Sequence, residues 1–94
     1  MVTYKAAFIF DEEGVHAEVV GFPGANTCGK DIAEARRMVG LAVVDMAETL
    51  ILLGRPLPKP DPALSNPEAD LEEPLHLLLL GSTDVMTLPR ELIH

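Results

Sequence analysis

Four carboxylates near the start of the chain, Asp11, Glu12, Glu13 and Glu18, are of the type that could hold Mg²⁺ for phosphodiester cleavage. Two-metal chemistry needs carboxylates converging from different elements onto ions a few ångströms apart. Three of these four are consecutive in a turn, where side chains diverge into solvent, so a solvated turn is expected and no metal. The histidines His16, His76 and His94 are far apart and lack Cys or paired-His spacing, which leaves zinc unsupported. His16 is expected on a polar strand face, and His76, among leucines, as a satisfied core or interface residue. Ser65, Ser82 and Thr83 have no base at a recognisable spacing for nucleophilic catalysis. Cys28 has only Lys30 as an electropositive neighbour and reads as a small, half-buried apolar residue. The glycines from Gly21 to Gly29 do not form a phosphate-cradling fingerprint, and Asp31 at the following helix start would repel phosphate. The expectation is a protein that is not an enzyme and carries no cofactor.

Charge points to binding. The 94 residues carry 7 Lys and Arg against 15 Asp and Glu, a net charge of -8. Such a chain repels phosphate backbones, which argues against autonomous nucleic-acid binding and favours a basic protein partner. The same charge also serves solubility. One cysteine permits no intrachain disulfide and fits a reducing compartment. The N-terminus lacks a signal-peptide series, and the longest apolar run, around Leu77 to Leu80, is far below membrane-spanning length. A cytoplasmic protein with no membrane association is expected.

The elements follow from periodicity. Residues 3–10 alternate, with Tyr4, Ala6, Phe8 and Phe10 on one side, as a strand does. Asp11 to Gly14 forms a hairpin turn, Val15 to Val20 the returning strand, and Ala25 to Cys28 a short third strand. The spacing predicts a helix from about Ile32 to Leu53, with Ala35, Met38, Val39, Ala42, Met46, Leu50 and Leu53 on one apolar stripe. Gly54 ends it and Pro56 prevents resumption. Leu41, Val44, Ile51 and Leu52 point away from that stripe, so a second layer is required, from the C-terminal segment or from another subunit; an oligomer is the favoured source. Five prolines between positions 56 and 67 mark a connector of extended or irregular backbone. Leu75 to Leu80 reads as a strand buried on both faces, and Val85 to Ile93 as a last short strand or helical turn.

The segment Phe22-Pro23-Gly24-Ala25-Asn26-Thr27-Cys28-Gly29-Lys30-Asp31-Ile32-Ala33-Glu34-Ala35 combines a Pro-Gly turn, a short strand, a second turn and a helix opened by Asp31 and Glu34 in a capping box. With the tail Gly54-Arg55-Pro56-Leu57-Pro58-Lys59-Pro60, it resembles the N-terminal domain of HicB-type antitoxins and their stand-alone relatives over roughly residues 3–60. The resemblance implies an α+β fold: a three-stranded antiparallel meander packed on one long helix, plus a C-terminal strand, with a partial likeness to RNase H. It divides the chain into a HicB-like α/β domain (1–60), a Pro- and acid-rich connector (61–74) and a C-terminal strand segment (75–94) expected to serve oligomerisation. Phe22, Pro23, Gly24, Gly29, Asp31, Glu34 and Gly54 are then structural residues.

By that resemblance the protein binds and neutralises a small basic mRNA-cleaving toxin, masking its RNA-binding and catalytic face. Asp11, Glu12 and Glu13 are the candidate electrostatic surface for that partner. Leu41, Val44, Ile51, Leu52, Leu77 and Leu79 are the candidate interface of a homo-oligomer, a dimer or tetramer. The segment Thr83 to Ile93 looks like the strand and first helical turn of a ribbon-helix-helix unit but lacks both helices, so direct DNA binding is not expected and the strand would serve dimerisation alone. The alternative is a non-catalytic oligomeric binding or structural protein without a toxin partner.

Overall fold

The computed structural model describes residues 1–80 and 84–88. The chain runs β1 (Val2–Asp11), β2 (Gly14–Val19), β3 (Asn26–Gly29), α1 (Ile32–Leu52), β4 (Leu71–Leu80) and β5 (Asp84–Leu88). It is an α+β fold in which the strands form one antiparallel sheet, ordered β3-β2-β1-β4-β5, that curls around the single helix. No helix among the described residues is long and apolar enough to cross a membrane.

The period-2 pattern of β1 sets the layers. Tyr4, Ala6 and Phe8 face α1 and are buried, and the register Ala6↔Val19, Phe8↔Ala17 and Phe10↔Val15 brings the buried residues of β2 onto the same face. On its other side β1 pairs with β4, Val2↔Leu77, Tyr4↔Leu75 and Phe8↔Leu71. Ala35, Val39, Val43 and Ala47, four apart, form the buried line of α1. Small residues at both ends of that line let the helix settle close to the sheet. Of the stripe expected from the sequence, Met38, Ala42, Met46 and Leu50 flank this line and Leu53, the C-cap, is exposed.

The turn and caps form as their residues dictate. Ala25 N donates to Phe22 O at 3.2 Å, closing a type II turn in which Pro23 presets one φ and Gly24 takes φ +86°. The ring of Phe22 is buried edge-on against Tyr4, with centroids 5.2 Å apart. Asp31 is the N-cap, its Oδ1 accepting from Glu34 N at 2.8 Å. Glu34 reaches back to Lys30 N at 3.0 Å, one residue before the amide that a capping box ordinarily uses. At the far end the amides of Gly54 and Arg55 bond back to Ile51 O and Leu50 O, a Schellman closure. Gly29 is required by proximity: a Cβ there would lie 2.5 Å from Ala35 N.

Two expectations are corrected. The fourth strand starts at Leu71, so Leu71–Pro74 belongs to the sheet and not to the connector. Pro74 fits because the described β4–β5 pairing stops at His76↔Leu88, short of a position that lacks an N–H. That strand is not buried on both faces: only Leu77 is fully buried, while Leu79 and Leu80 are exposed. The connector, irregular in backbone, is tied to the rest of the chain. Tyr4 Oη donates to Pro58 O at 2.6 Å, Lys5 Nζ to Leu64 O at 2.8 Å, and Asp70 N to Phe8 O at 2.8 Å. Residues 54–58 stay on the helix side, where Leu57 packs at the core margin and Pro58 meets Tyr4; residues 62–66 are then tied to the opposite face of the sheet as a strap, and the chain passes on to β4. Of the expected last element, 84–88 is a strand; Pro89 to Ile93 lie outside the described residues.

Gly29→Ala should destabilise the protein by about 1–3 kcal/mol in urea unfolding, because the Glu34 and Ala35 backbone it would meet cannot easily give way. Asp31→Ala should cost about 1 kcal/mol, the usual worth of an N-cap.

Candidate functional site

The β1–β2 register runs to Asp11↔Gly14 and leaves Glu12 and Glu13 as a two-residue loop. Asp11 builds that turn. Its Oδ1 accepts from Glu13 N at 2.8 Å and Gly14 N at 3.0 Å, and its Oδ2 lies 2.8 Å from His16 Nε2. The Glu13 amide first, then the Gly14 amide and His16, hold the Asp11 carboxyl below the ordinary aspartate range. The three consecutive acids therefore do not all diverge into solvent: Asp11 is turned back into its own hairpin. Glu12 and Glu13 are exposed, and their side chains make no hydrogen bond or ion pair among the described residues. Asp70 sits at the same end, its Oδ2 accepting from Phe10 N at 2.8 Å.

Glu18 has a structural task. Its carboxylate accepts from Asn66 Nδ2 at 3.0 Å, while Asn66 N and Ser65 Oγ donate to Glu72 at 2.9 and 3.0 Å. With Lys5 held by the Pro62 and Leu64 carbonyls, this network fastens the strap to the sheet. The Asn66 amide above all, helped by Ser65 and Lys5, pulls the Glu72 carboxyl below its usual range. A cavity of about 440 Å³ remains between strap and sheet, walled by Val20, Pro62, Pro74 and the stem of Lys5. On the helix side, Arg36 Nε and Nη2 donate to the two oxygens of Glu73 at 2.8 and 3.1 Å, across an open groove floored by Ala6, Phe8 and Val39.

Among the described residues, no three His, Cys, Asp or Glu side chains gather as metal ligands. His76 Nδ1 is 2.9 Å from Thr3 Oγ1, and Cys28 is exposed rather than half-buried. Ser82, Thr83 and His94 lie outside the described residues.

The expected interface residues divide. Leu77 is 0% exposed in the core of a single chain and cannot meet a second one. Val44 and Ile51 pack at the margin of that core. Leu41 is 57% and Leu52 73% exposed, with Leu79 and Met86 also open. Leu41, Val44, Val85 and Met86 share one groove where α1 meets β5. Among the described residues, β5 thus supplies part of the second layer that the helix requires, and an apolar strip beside it is left uncovered.

Sequence reasoning missed the strap residues Ser65, Asn66 and Glu72, and also Glu48, which accepts from Val85 N at 3.3 Å. Asp61-Pro62 and Asn66-Pro67 were the available signals, since Asx-Pro pairs start turns. Nothing in the spacing tied them to β1 or β2.

No protein-family model matches this chain, and no curated protein matches it.

The lowered Glu72 carboxyl gives a pH dependence. A folded-state value below the unfolded one contributes stability that is present above the unfolded value and lost as pH falls through the folded one. Glu72→Gln should lower the melting temperature at about pH 7, and the two melting curves should converge towards about pH 3, below the ordinary carboxylate range.

Proposed function

We propose that this chain is a HicB-like, antitoxin-type protein that works by stoichiometric binding of a small basic mRNA-cleaving toxin, from the cytoplasm and as a homo-oligomer. The resemblance carried by Phe22 to Ala35 and by the Gly54 to Pro60 tail is the starting point. An α+β fold with a three-stranded meander against one long helix is compatible with it.

The observation that carries the binding reading is the state of the hairpin end. Asp11 spends its oxygens on the turn, and by doing so holds Glu12 and Glu13 forward as two exposed carboxylates on a rigid support. On a chain of net charge -8, such a point attracts a basic surface, raises the encounter rate and repels competing RNA. The partner surface is therefore assigned to Glu12 and Glu13, with Asp11 as their support. Contacts of this kind sit at a rim, so they act chiefly on association rate and salt dependence.

Binding to a small basic mRNA-cleaving protein, sought among the products of neighbouring genes and followed at increasing salt, tests the reading. A complex at low salt that weakens steeply with salt, together with protection of RNA from cleavage, is expected. Glu12→Lys with Glu13→Lys should slow association by about tenfold or more while the melting temperature stays near wild type. No complex at low salt would remove the toxin from the account.

A further inference from the structure

The strip between α1 and β5 has a polarity along it that matches its own reverse. Among the described residues β5 is an edge strand, paired on one side with β4 through Leu78↔Met86 and its neighbours. The Val85 amide points away from β4, to Glu48 Oε2 at 3.3 Å. Alternation along an antiparallel strand then leaves the main-chain groups of Val85 and Thr87 at the open edge. The helix above is in register with this edge. Glu48 lies at the level of Val85, and Gly40, whose Cβ position is 3.7 Å from the Thr87 side chain, at the level of Thr87. Val44, midway between them, therefore stands level with Met86. Arg37, one helical turn before Gly40 and Leu41 and 3.9 Å from Glu34, marks the basic end of the groove, and Glu48, at the Val85 amide, marks the acidic end.

We infer that this strip is the contact surface for a second copy of the same chain, joined by antiparallel β5–β5 pairing about a two-fold axis through Met86. The axis is perpendicular to the sheet and passes between the two Met86 residues, so both helices fall on one face, antiparallel, with Val44 at their crossing. Val85 of each copy pairs with Thr87 of the other, giving four main-chain hydrogen bonds between groups that are otherwise at an edge. The reversal sets Glu48 of one copy beside Arg37 of the other, twice. Leu41 and Met86, both exposed in the single chain, become covered.

Charge selects this occupant. Two chains of net charge -8 repel each other overall, so self-association needs a place where opposite charges meet. A two-fold arrangement here provides it, because the acidic and basic ends of the strip are exchanged. In the single chain, Glu48 occupies the Val85 amide and blunts the edge against unselected strands. Only a partner that offers a cation at that level, as Arg37 of a second copy does, draws the carboxylate away. The inference rests on the homo-oligomer part of the proposed function and is independent of the toxin.

Sedimentation equilibrium of the full chain alone, with no partner, is expected to show a dimer. Arg37→Glu and Glu48→Arg should each raise its dissociation constant about tenfold or more, and the double exchange should restore it, which a loss of folding could not do. In a Cys28→Ser background, Met86→Cys should oxidise to a covalent dimer in high yield, because directly opposed residues of a non-hydrogen-bonded pair lie within disulfide reach. Thr87→Cys, opposed to Val85 and offset from itself, should not. A wild-type monomer would overturn the oligomer reading and this geometry together. A dimer in which Met86→Cys fails to cross-link, or in which the charge exchange gives no recovery, would overturn this geometry and leave the oligomer standing.

Discussion

β1 is the strand on which every other part leans, and Phe8 is its fixed point. Its ring is fully buried beneath α1, its neighbours across the ladder are Ala17 on one side and Leu71 on the other, and its carbonyl accepts the Asp70 amide that ends the strap. A one-residue slip of β1 would send Tyr4, Ala6 and Phe8 to the strap face and Lys5 into the helix face. Both covering layers would fail at once, because each is matched to one parity of this strand. The fold of so short a chain is possible because one strand is used twice, apolar side chains forwards and polar attachments backwards.

The two layers are held by different physics. Against α1 the contact is apolar, built from a line of Ala and Val that permits close approach, with the half-buried Arg36–Glu73 pair at its rim. Against the strap the contact is polar: Lys5, Glu18 and Glu72 reach out from the sheet to backbone and side-chain groups of residues 62–66. Several acids of a very acidic chain are thereby consumed as acceptors for amides. Glu12 and Glu13, at one end, stay exposed and outside that use. The apolar strip beside β5 is likewise the part of the helix that the described strands leave uncovered.

Much of this was legible in the residues themselves. Alternation in residues 3–10 and 15–20, Pro23-Gly24, and the Asp31–Glu34 spacing each describe interactions within a few positions of chain, and each formed as its local chemistry requires. The same holds for the excess of apolar residues on α1, which called for a second layer. The turn acids were legible as a group but not one by one: whether a carboxylate in a hairpin points outwards or back to its own amides depends on the register of the two strands, and Asp11 turned back.

What composition and spacing left open was decided by contacts distant in sequence. The strap looks like a linker because prolines and acids give no periodic signal; its order comes from Tyr4, Lys5 and Glu18, some 50 residues away. Leu77 and Leu79 have the same side chain two positions apart, yet the first fills the core and the second stays open, because α1 and β1 cover only one length of β4. Sequence by itself determined the meander and the helix, and that the helix needed more cover than a meander provides, since propensity and periodicity act locally. Tertiary structure alone decided which leucines are buried, which acids remain free and where the uncovered edge lies, since each depends on how far one element extends across another.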